Sequence, residues 1–354
     1  MSYIIIFHES LSINGTLNLK VLQNYALAKI NIDRLSFGLN PVSLSDNKAA
    51  QHHAYEILQS GLLSHWSMNG LKPYMEYSLY NGTGYVQQNT GQISYINTDE
   101  AMKGITSHSF CTRDSELYCE PLDPVDAIDK LEYSMMYNDS LCCNDGHKKN
   151  ILDRFHTNVS IGIAFNDYYF VLVQNFENNY LKYNISNEND KYLLEAKMLN
   201  PNKNLQLSYI AFYSDNLPNK GDYEKFKNRL NYSMGDPALI VSKPLEFYEQ
   251  YIQPESYSII EAENWDIYDE SINILFELPD NLELNDRMIT MLVYAKNKTM
   301  NPSIADPDEK VSPKEMFPLL SYIVHNKPVS EYDEVQFFRY IRYLCTFFLI
   351  LLLS

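Results

Sequence analysis

The chain has 354 residues, of which 45% are hydrophobic. It is therefore long and apolar enough for two hydrophobic cores, and its composition excludes an intrinsically disordered protein. A formal net charge of −17 repels phosphate backbones, and no basic stripe offsets it, so nucleic acid is not expected as a partner.

Three helices are predicted in the first part of the chain. Apolar residues recur near a helical period over residues 19–37. A second helix fits residues 47–63, and Ser45 or Asp46 is expected to cap its N-terminus. A third fits residues 123–138, where a proline in the first turn and an early aspartate favour a helix start.

Strand patterns follow these helices. Residues 159–165 and 168–176 are rich in β-branched and aromatic side chains, and Asn166 and Asp167 separate them, which predicts a hairpin. From about residue 185, short apolar runs alternate with turn residues, a spacing typical of an antiparallel β-sandwich. The predicted fold class is therefore α+β, with a helix-covered sheet followed by an all-β unit.

Four segments are expected along the chain. Residues 17–183 form the first domain, and residues 184–300 form a β-sandwich-like domain. Residues 301–338 contain prolines and many charges, which indicates a linker or stalk. Residues 339–354 form a short apolar tail.

The tail carries an apolar run from Tyr343 to Leu353, about half of the roughly 20 residues that a spanning helix needs. With Arg339 and Arg342 in front of it, the run is either a truncated membrane anchor or a buried terminal helix, and we favour the anchor. Residues 1–10 lack a basic segment and a small-residue cleavage site, so they are at most the remnant of a signal peptide.

Glycosylation sequons indicate a protein of the cell exterior. Their asparagines are Asn14, Asn81, Asn138, Asn158, Asn184, Asn231 and Asn297.

The cysteines are unevenly placed. Cys111 and Cys119 bracket a polar segment and either form a disulfide or remain reduced, while Cys142 and Cys143 are adjacent. The absence of a C-x-x-C pair argues against a thiolate zinc site.

Several short motifs, in a fixed order, resemble one known family. His65 stands in Ser-His-Trp after the second predicted helix, and GYVQQN at 84–89, GHKKNIL at 146–152 and VQNF at 173–176 follow. This order resembles the CAP superfamily (cysteine-rich secretory proteins, antigen 5 and pathogenesis-related 1), in its microbial SCP-like branch. The resemblance covers roughly residues 19–180 and says nothing about the rest of the chain.

The resemblance implies an α-β-α sandwich with a central cleft, usually on a secreted or surface-attached protein. It implies that His65 and His147 face each other across this cleft. Two neutral imidazoles can bind a divalent ion such as Zn²⁺, and their nitrogens would then lie a few ångströms apart. Because protonated imidazole cannot ligate a metal, binding is expected to fade below about pH 6.5. We interpret His52 and His53, on the second helix, as surface or packing residues.

The sequence departs from the family pattern at one cleft position. Gln88 stands where the family has the glutamate of a Gly-Glu-Asn segment, and glutamine is neither a general base nor a strong metal ligand. Glu132 is the candidate for the family's second acidic residue, with a solvated helix position as the alternative. Asn89 and Asn150 are expected to hydrogen-bond the cleft framework.

The sequence thus predicts a secreted or cell-surface binding protein whose cleft holds a divalent metal. Two alternatives stay open. A metal-assisted, peptidase-like hydrolase needs a base that Gln88 does not supply, so enzymatic activity is not expected. A lipid- or sterol-binding protein needs an apolar groove. The partners considered are a small ligand, a lipid or a cell-envelope component, with membrane attachment through the tail.

Overall fold

The structure is a computed structural model of the chain. It describes residues 18–94, 112–113, 116–117, 123–166, 169–188, 191–199, 205–229, 231–245, 254–268, 270–279, 287–297 and 316–325. Helices and strands both contribute substantially, so the predicted α+β class is confirmed. The predicted Cys111–Cys119 pair and the apolar tail at 339–354 lie outside the described residues.

Helices concentrate in the first half of the chain and strands in the second. The described helices are α1 Leu19–Ser36, α2 Ala49–Ser60, α3 Pro73–Leu79, α4 Pro124–Tyr137, α5 Ser140–Cys143, α6 Gly146–Ile151 and α7 Lys220–Phe226. The described strands are β1 Ser43–Leu44, β2 Tyr85–Ser94, β3 Thr112–Arg113, β4 Glu116–Leu117, β5 Asn158–Phe165, β6 Tyr169–Asn178, β7 Leu181–Glu188, β8 Lys191–Met198, β9 Leu205–Asn216, β10 Asp236–Ser242, β11 Ser258–Glu261, β12 Asn264–Tyr268, β13 Ser271–Glu277, β14 Arg287–Asn297 and β15 Met316–His325. Within the described ranges, no helix combines the length and the apolarity that crossing a membrane requires.

The first half folds around a four-stranded sheet in the order β1-β5-β6-β2. β5 pairs antiparallel with β6, so the predicted hairpin is confirmed. Side chains alternate between the two faces of β6. Phe170 and Leu172 join the cluster that α1 and α4 contribute to, whereas Val171 and Val173 join the cluster formed with α2. Helices therefore cover both faces of this sheet.

The close approach of α2 to the sheet depends on Gly162 in β5. A Cβ atom at this position would lie 1.9 Å from the carbonyl oxygen of Ala50, a backbone atom that cannot move aside cheaply. Glycine is therefore the residue that lets this helix pack directly on the strand.

The predicted cap of α2 is wrong. The helix begins at Ala49, and neither Ser45 nor Asp46 caps it, since the N-cap position belongs to Lys48 and carries no side-chain capping bond. Instead, the side-chain oxygen of Asn47 accepts the backbone N–H of Ala49 at 2.9 Å. An amide two residues upstream thus satisfies the donor that the prediction assigned to a hydroxyl or carboxylate.

The second half contains two sheets that share one hydrophobic core. The five-stranded sheet has the order β11-β10-β9-β14-β15, and the four-stranded sheet has the order β12-β13-β8-β7. Ile272, Ile274 and Phe276 alternate with half-buried or exposed residues along β13 and join the core with Phe212 of the opposite sheet. This agrees with the predicted sandwich-like packing. β7 begins at Leu181, slightly before the predicted start of the second unit.

The predicted linker is wrong for residues 316–325. These residues form β15, which pairs with β14 and buries Phe317, Leu319 and Leu320. Pro318 is tolerated because it sits at a register shift on an edge strand. The prolines and charges earlier in the segment dominated the sequence pattern and hid this short apolar strand.

Contacts join the two halves of the molecule. Asn178 in β6 donates through Nδ2 to the Pro318 carbonyl at 2.7 Å, and Phe155 stacks on Phe317 with ring centroids 3.7 Å apart. Tyr74 in α3 donates its hydroxyl proton to Asp215 of β9 at 2.6 Å. The second half therefore packs directly against the helices and strands that carry the candidate site.

Candidate functional site

His65 lies in the loop between α2 and α3. The loop starts at Gly61, whose φ of 66° ends α2 in the left-handed conformation that glycine adopts readily. The ring is buried, and its Nδ1 lies 3.0 Å from Oε1 of Gln88. Because that oxygen accepts, Nδ1 carries the proton and Nε2 carries the lone pair. Burial lowers the pKa of His65 to about 4, so the imidazole is neutral at pH 7.

Gln88 is a buried residue of β2 that links His65 to the second half of the chain. Its backbone N–H donates to the Tyr232 hydroxyl at 3.0 Å, and the Tyr232 ring lies 5.2 Å from the His65 ring. The side-chain Nε2 of Gln88 is buried and has no hydrogen-bond partner in the described part of the chain. An unpaired donor therefore sits beside the histidine.

His147, at the start of α6, contacts both carboxylate oxygens of Asp139. Its Nδ1 lies 2.6 Å from Oδ1 of Asp139, and its backbone N–H donates to Oδ2 at 2.8 Å. The carboxylate fixes the tautomer with the proton on Nδ1 and leaves the lone pair on Nε2. Sequence reasoning missed Asp139, because the segment around Asn138 indicates only a sequon. The available signal was an aspartate just ahead of the Gly-His segment.

Asn89 and Asn150 build the framework around His147. Asn89 donates through Nδ2 to the His147 carbonyl at 3.1 Å, and Asn150 donates to Oδ1 of Asn89 at 2.9 Å. Both side chains thus support the backbone of the Gly-His segment rather than reaching the imidazole itself.

Glu132 is buried on α4, not solvated. Among the described residues, its hydrogen-bond partner is Gln174 of β6, which also accepts from Asn89 at 3.2 Å. Burial, reinforced by the charge of Asp33, raises the pKa of Glu132 well above its ordinary value and favours the neutral carboxyl. The structure therefore connects Glu132 to the framework through Gln174 and not to either cleft histidine.

Burial is the main cause of the lowered pKa of His65, and smaller electrostatic contributions from His53 and His147 lower it further. Among the described residues, two groups of three or more potential metal ligands have donor atoms within 4.8 Å of one another, and His65 belongs to neither. One group surrounds His147 and includes Cys142 and Cys143, which form a disulfide with each other. Neither of these described groups therefore contains both cleft histidines.

The second group consists of His52, Glu56 and Glu76, with His53 beside them. It bridges α2 and α3, and sequence reasoning missed it. The signal was the His-His-x-x-Glu spacing, which places these side chains on neighbouring positions of one helix.

A cavity of about 460 Å³ lies where α3 meets the second half of the chain. Trp66 lines it and stacks on Phe226 with ring centroids 4.6 Å apart. Lys72 also lines it and donates to Asp215 at 2.7 Å. Tyr232 borders both this cavity and His65.

Comparisons with known proteins add little. No family model matches the chain, and no curated protein matches it. An outer surface protein from Borrelia burgdorferi is similar in solved structure, at 12% identity over 46% of this chain and 95% of that protein, with a TM-score of 0.29. A TM-score this low does not establish a shared fold.

Proposed function

We propose that this chain is a CAP-like binding protein of the cell exterior whose cleft holds a divalent cation, preferably Zn²⁺, between His65 and His147. One observation carries the proposal. Each imidazole engages a fixed acceptor through Nδ1, Gln88 for the first and Asp139 for the second. Both rings are thereby set to ligate through Nε2, the usual arrangement of histidine metal ligands.

The electrostatics around the histidines favour a cation. His65 is neutral because burial lowers its pKa to about 4, so no proton competes at its nitrogen near pH 7. The fading expected below about pH 6.5 therefore does not originate at His65. Asp139 orients the His147 ring, because its carboxylate lies 2.6 Å from Nδ1. The net charge of −17 also accumulates cations around the protein.

Gln88 favours binding over hydrolysis. Its amide cannot accept the proton of an attacking water. Asp139 is bonded to His147, and the Glu132 carboxyl is bonded to Gln174, so neither supplies the missing base. We therefore propose that peptidase and esterase activities are absent or feeble.

A polar small molecule fits the adjacent cavity better than a sterol or lipid. The cavity is lined by Lys72, Asp215, Asp222 and Arg229 in addition to its aromatic residues. These charged groups would lose their hydration against an apolar ligand. The proposed partner is thus a polar small ligand or cell-envelope component.

The proposed location outside the cell is supported by accessible glycosylation sequons and by the disulfide of Cys142 and Cys143, since disulfides persist in oxidising compartments. Among the described sequon asparagines, the exposed ones are Asn81, Asn138, Asn184 and Asn231.

Calorimetric titration of the full-length chain with Zn²⁺ tests the function. His147→Ala and His65→Ala should each remove one bound ion, because each deletes half of the imidazole pair. Lys149→Ala, at an exposed position in the same helix, should leave binding unchanged. Equal zinc stoichiometry in wild type and in both histidine variants would refute the cleft site, and efficient peptide hydrolysis by the wild type would refute the binding-protein assignment.

A further inference from the structure

We propose that a second divalent-cation site, separate from the cleft, lies between α2 and α3, with His53, Glu56 and Glu76 as its protein ligands. His53 and Glu56 are one turn apart on α2, and Glu76 reaches them from α3. This site stands on its own geometry and does not depend on the cleft proposal.

Each proposed ligand is held by a hydrogen bond through its other polar atom. His53 donates through Nε2 to the Ser64 carbonyl at 2.8 Å, which turns Nδ1 inward. Glu56 accepts the backbone N–H of Met68 on Oε1 at 3.2 Å. Glu76 has Oε1 2.7 Å from Nδ1 of His52. Such outer contacts orient the ligands of protein metal sites.

The remaining atoms converge. Nδ1 of His53 lies 3.5 Å from Oε2 of Glu56 and 3.3 Å from Oε2 of Glu76. A tetrahedral zinc ion with bonds of about 2.0–2.1 Å separates its ligand atoms by about 3.3–3.4 Å. The two distances from His53 therefore fit ligand atoms arranged around a small cation.

Two of these atoms lack a hydrogen-bond partner although they are buried. Nδ1 of His53 and Oε2 of Glu56 are paired with no hydrogen-bonding group in the described chain. His53 is only 1% exposed. Buried polar atoms are nearly always satisfied, so unpaired atoms aimed at one point indicate a missing occupant.

The charge balance fits a divalent ion. Two buried carboxylates need about two positive charges nearby, since an uncompensated buried charge is costly. One divalent cation beside neutral His52 and His53 supplies them, and two protonated imidazoles supply them when no ion is bound. Without the ion, burial alone would lower the pKa of His53, but the neighbouring carboxylates of Glu56 and Glu76 raise it to about 10. A proton on His53 is therefore the competing occupant.

One imidazole and two carboxylates form a ligand set suited to Zn²⁺ or Co²⁺, whereas Ca²⁺ prefers six to eight oxygen ligands. Bound there, the ion would cross-link α2 to α3 on both sides of the loop that carries His65. Because Ser64 precedes His65 and accepts from His53, the ion would also fix the position of the cleft loop.

The test uses the full-length His147→Ala chain, stripped of metal with EDTA, so that the cleft contributes no ion. Co²⁺ binding is followed by visible absorption and Zn²⁺ binding by calorimetry. We expect one ion per chain. Glu56→Gln and Glu76→Gln in this background should each weaken binding at least tenfold, and His53→Gln should abolish it. Glu177→Gln, which alters a buried carboxyl on β6, is the matched control and should change nothing.

The outcomes separate the two sites. A folded His147→Ala chain that binds no ion would overturn this proposal, with a proton as the only occupant of the cluster. Binding that is unchanged in both glutamine variants would overturn it as well. If His53→Gln does not fold, the near-isosteric Glu56→Gln is used in its place, and circular dichroism checks that it folds. Weakened binding in that variant then supports the site, and unchanged binding overturns it. Zinc stoichiometry that is equal in wild type and His147→Ala would refute the cleft while leaving this site standing.

Discussion

Replacing Glu76 with glutamine in the ion-free protein is expected to remove a stabilising charge pair from the interface of α2 and α3. Burial alone would raise the pKa of Glu76, but its bonds and charge contacts with His52 and His53 lower it from 4.5 to about 2. At about 1.4 kcal/mol per pH unit, that difference corresponds to on the order of 3 kcal/mol of unfolding free energy.

The pH dependence has a definite sign. The contribution of Glu76 is complete above pH 4.5 and is lost as the pH falls through about 2. The pKa of His53 is raised from 6.5 to about 10, so its contribution is complete below pH 6.5 and is lost as the pH rises through about 10. Because both shifts largely describe the same interactions, the two contributions are not added. The stability difference between wild type and Glu76→Gln should be largest between pH 4.5 and 6.5.

Urea unfolding in EDTA from pH 3 to pH 9 measures this difference. Glu177→Gln serves as the control, because burial raises the pKa of Glu177 and so ionisation of this carboxyl brings no stability near neutral pH. A wild-type advantage over Glu76→Gln that is the same at every pH, or that grows toward pH 9, would refute the ion-pair reasoning.

Three further predictions concern single side chains. Asp139→Asn should weaken zinc binding at the cleft about 10- to 100-fold in calorimetry, because the carboxylate that orients the imidazole becomes an amide; unchanged affinity would exclude an orienting role. Gln88→Glu should tighten zinc binding, since a carboxylate then stands beside His65, and weaker binding would contradict the cleft geometry. Gly162→Ala should cost about 1–3 kcal/mol and lower the thermal midpoint, because the new Cβ collides with the backbone of α2; an unchanged midpoint would show that the helix can move aside.

Local patterns predicted much of the first half of the fold. The helical period over 19–37 and the paired runs at 159–165 and 168–176 each correspond to an observed element, α1 and the hairpin of β5 and β6. These elements bury one face or alternate faces, so their periodicity is visible in the sequence. The strand at 316–325 was missed because the prolines and charges that precede it in the segment 301–338 indicated a linker, although it pairs with β14, the strand before it in the chain.

The candidate site was predictable only in part. The motifs led to His65 and His147, but neither motif indicates that Asp139 turns inward to hold the second imidazole. The spacing of His53 and Glu56 places both on one turn of α2, yet only the packing of α3 brings Glu76 to the same point. Sequence patterns report which residues share an element, whereas convergence between elements depends on tertiary packing.

The central claim is that His65 and His147 hold one cation together. X-ray absorption at the zinc edge, on the full-length His53→Gln chain loaded with one equivalent of Zn²⁺, tests it most directly because the second site is then removed. We expect two imidazole nitrogens at about 2.0–2.1 Å from the metal. When His65→Ala or His147→Ala is added to the His53→Gln chain, one of these two nitrogens should be lost. A spectrum without imidazole scattering, or one that neither cleft substitution changes, would contradict the claim.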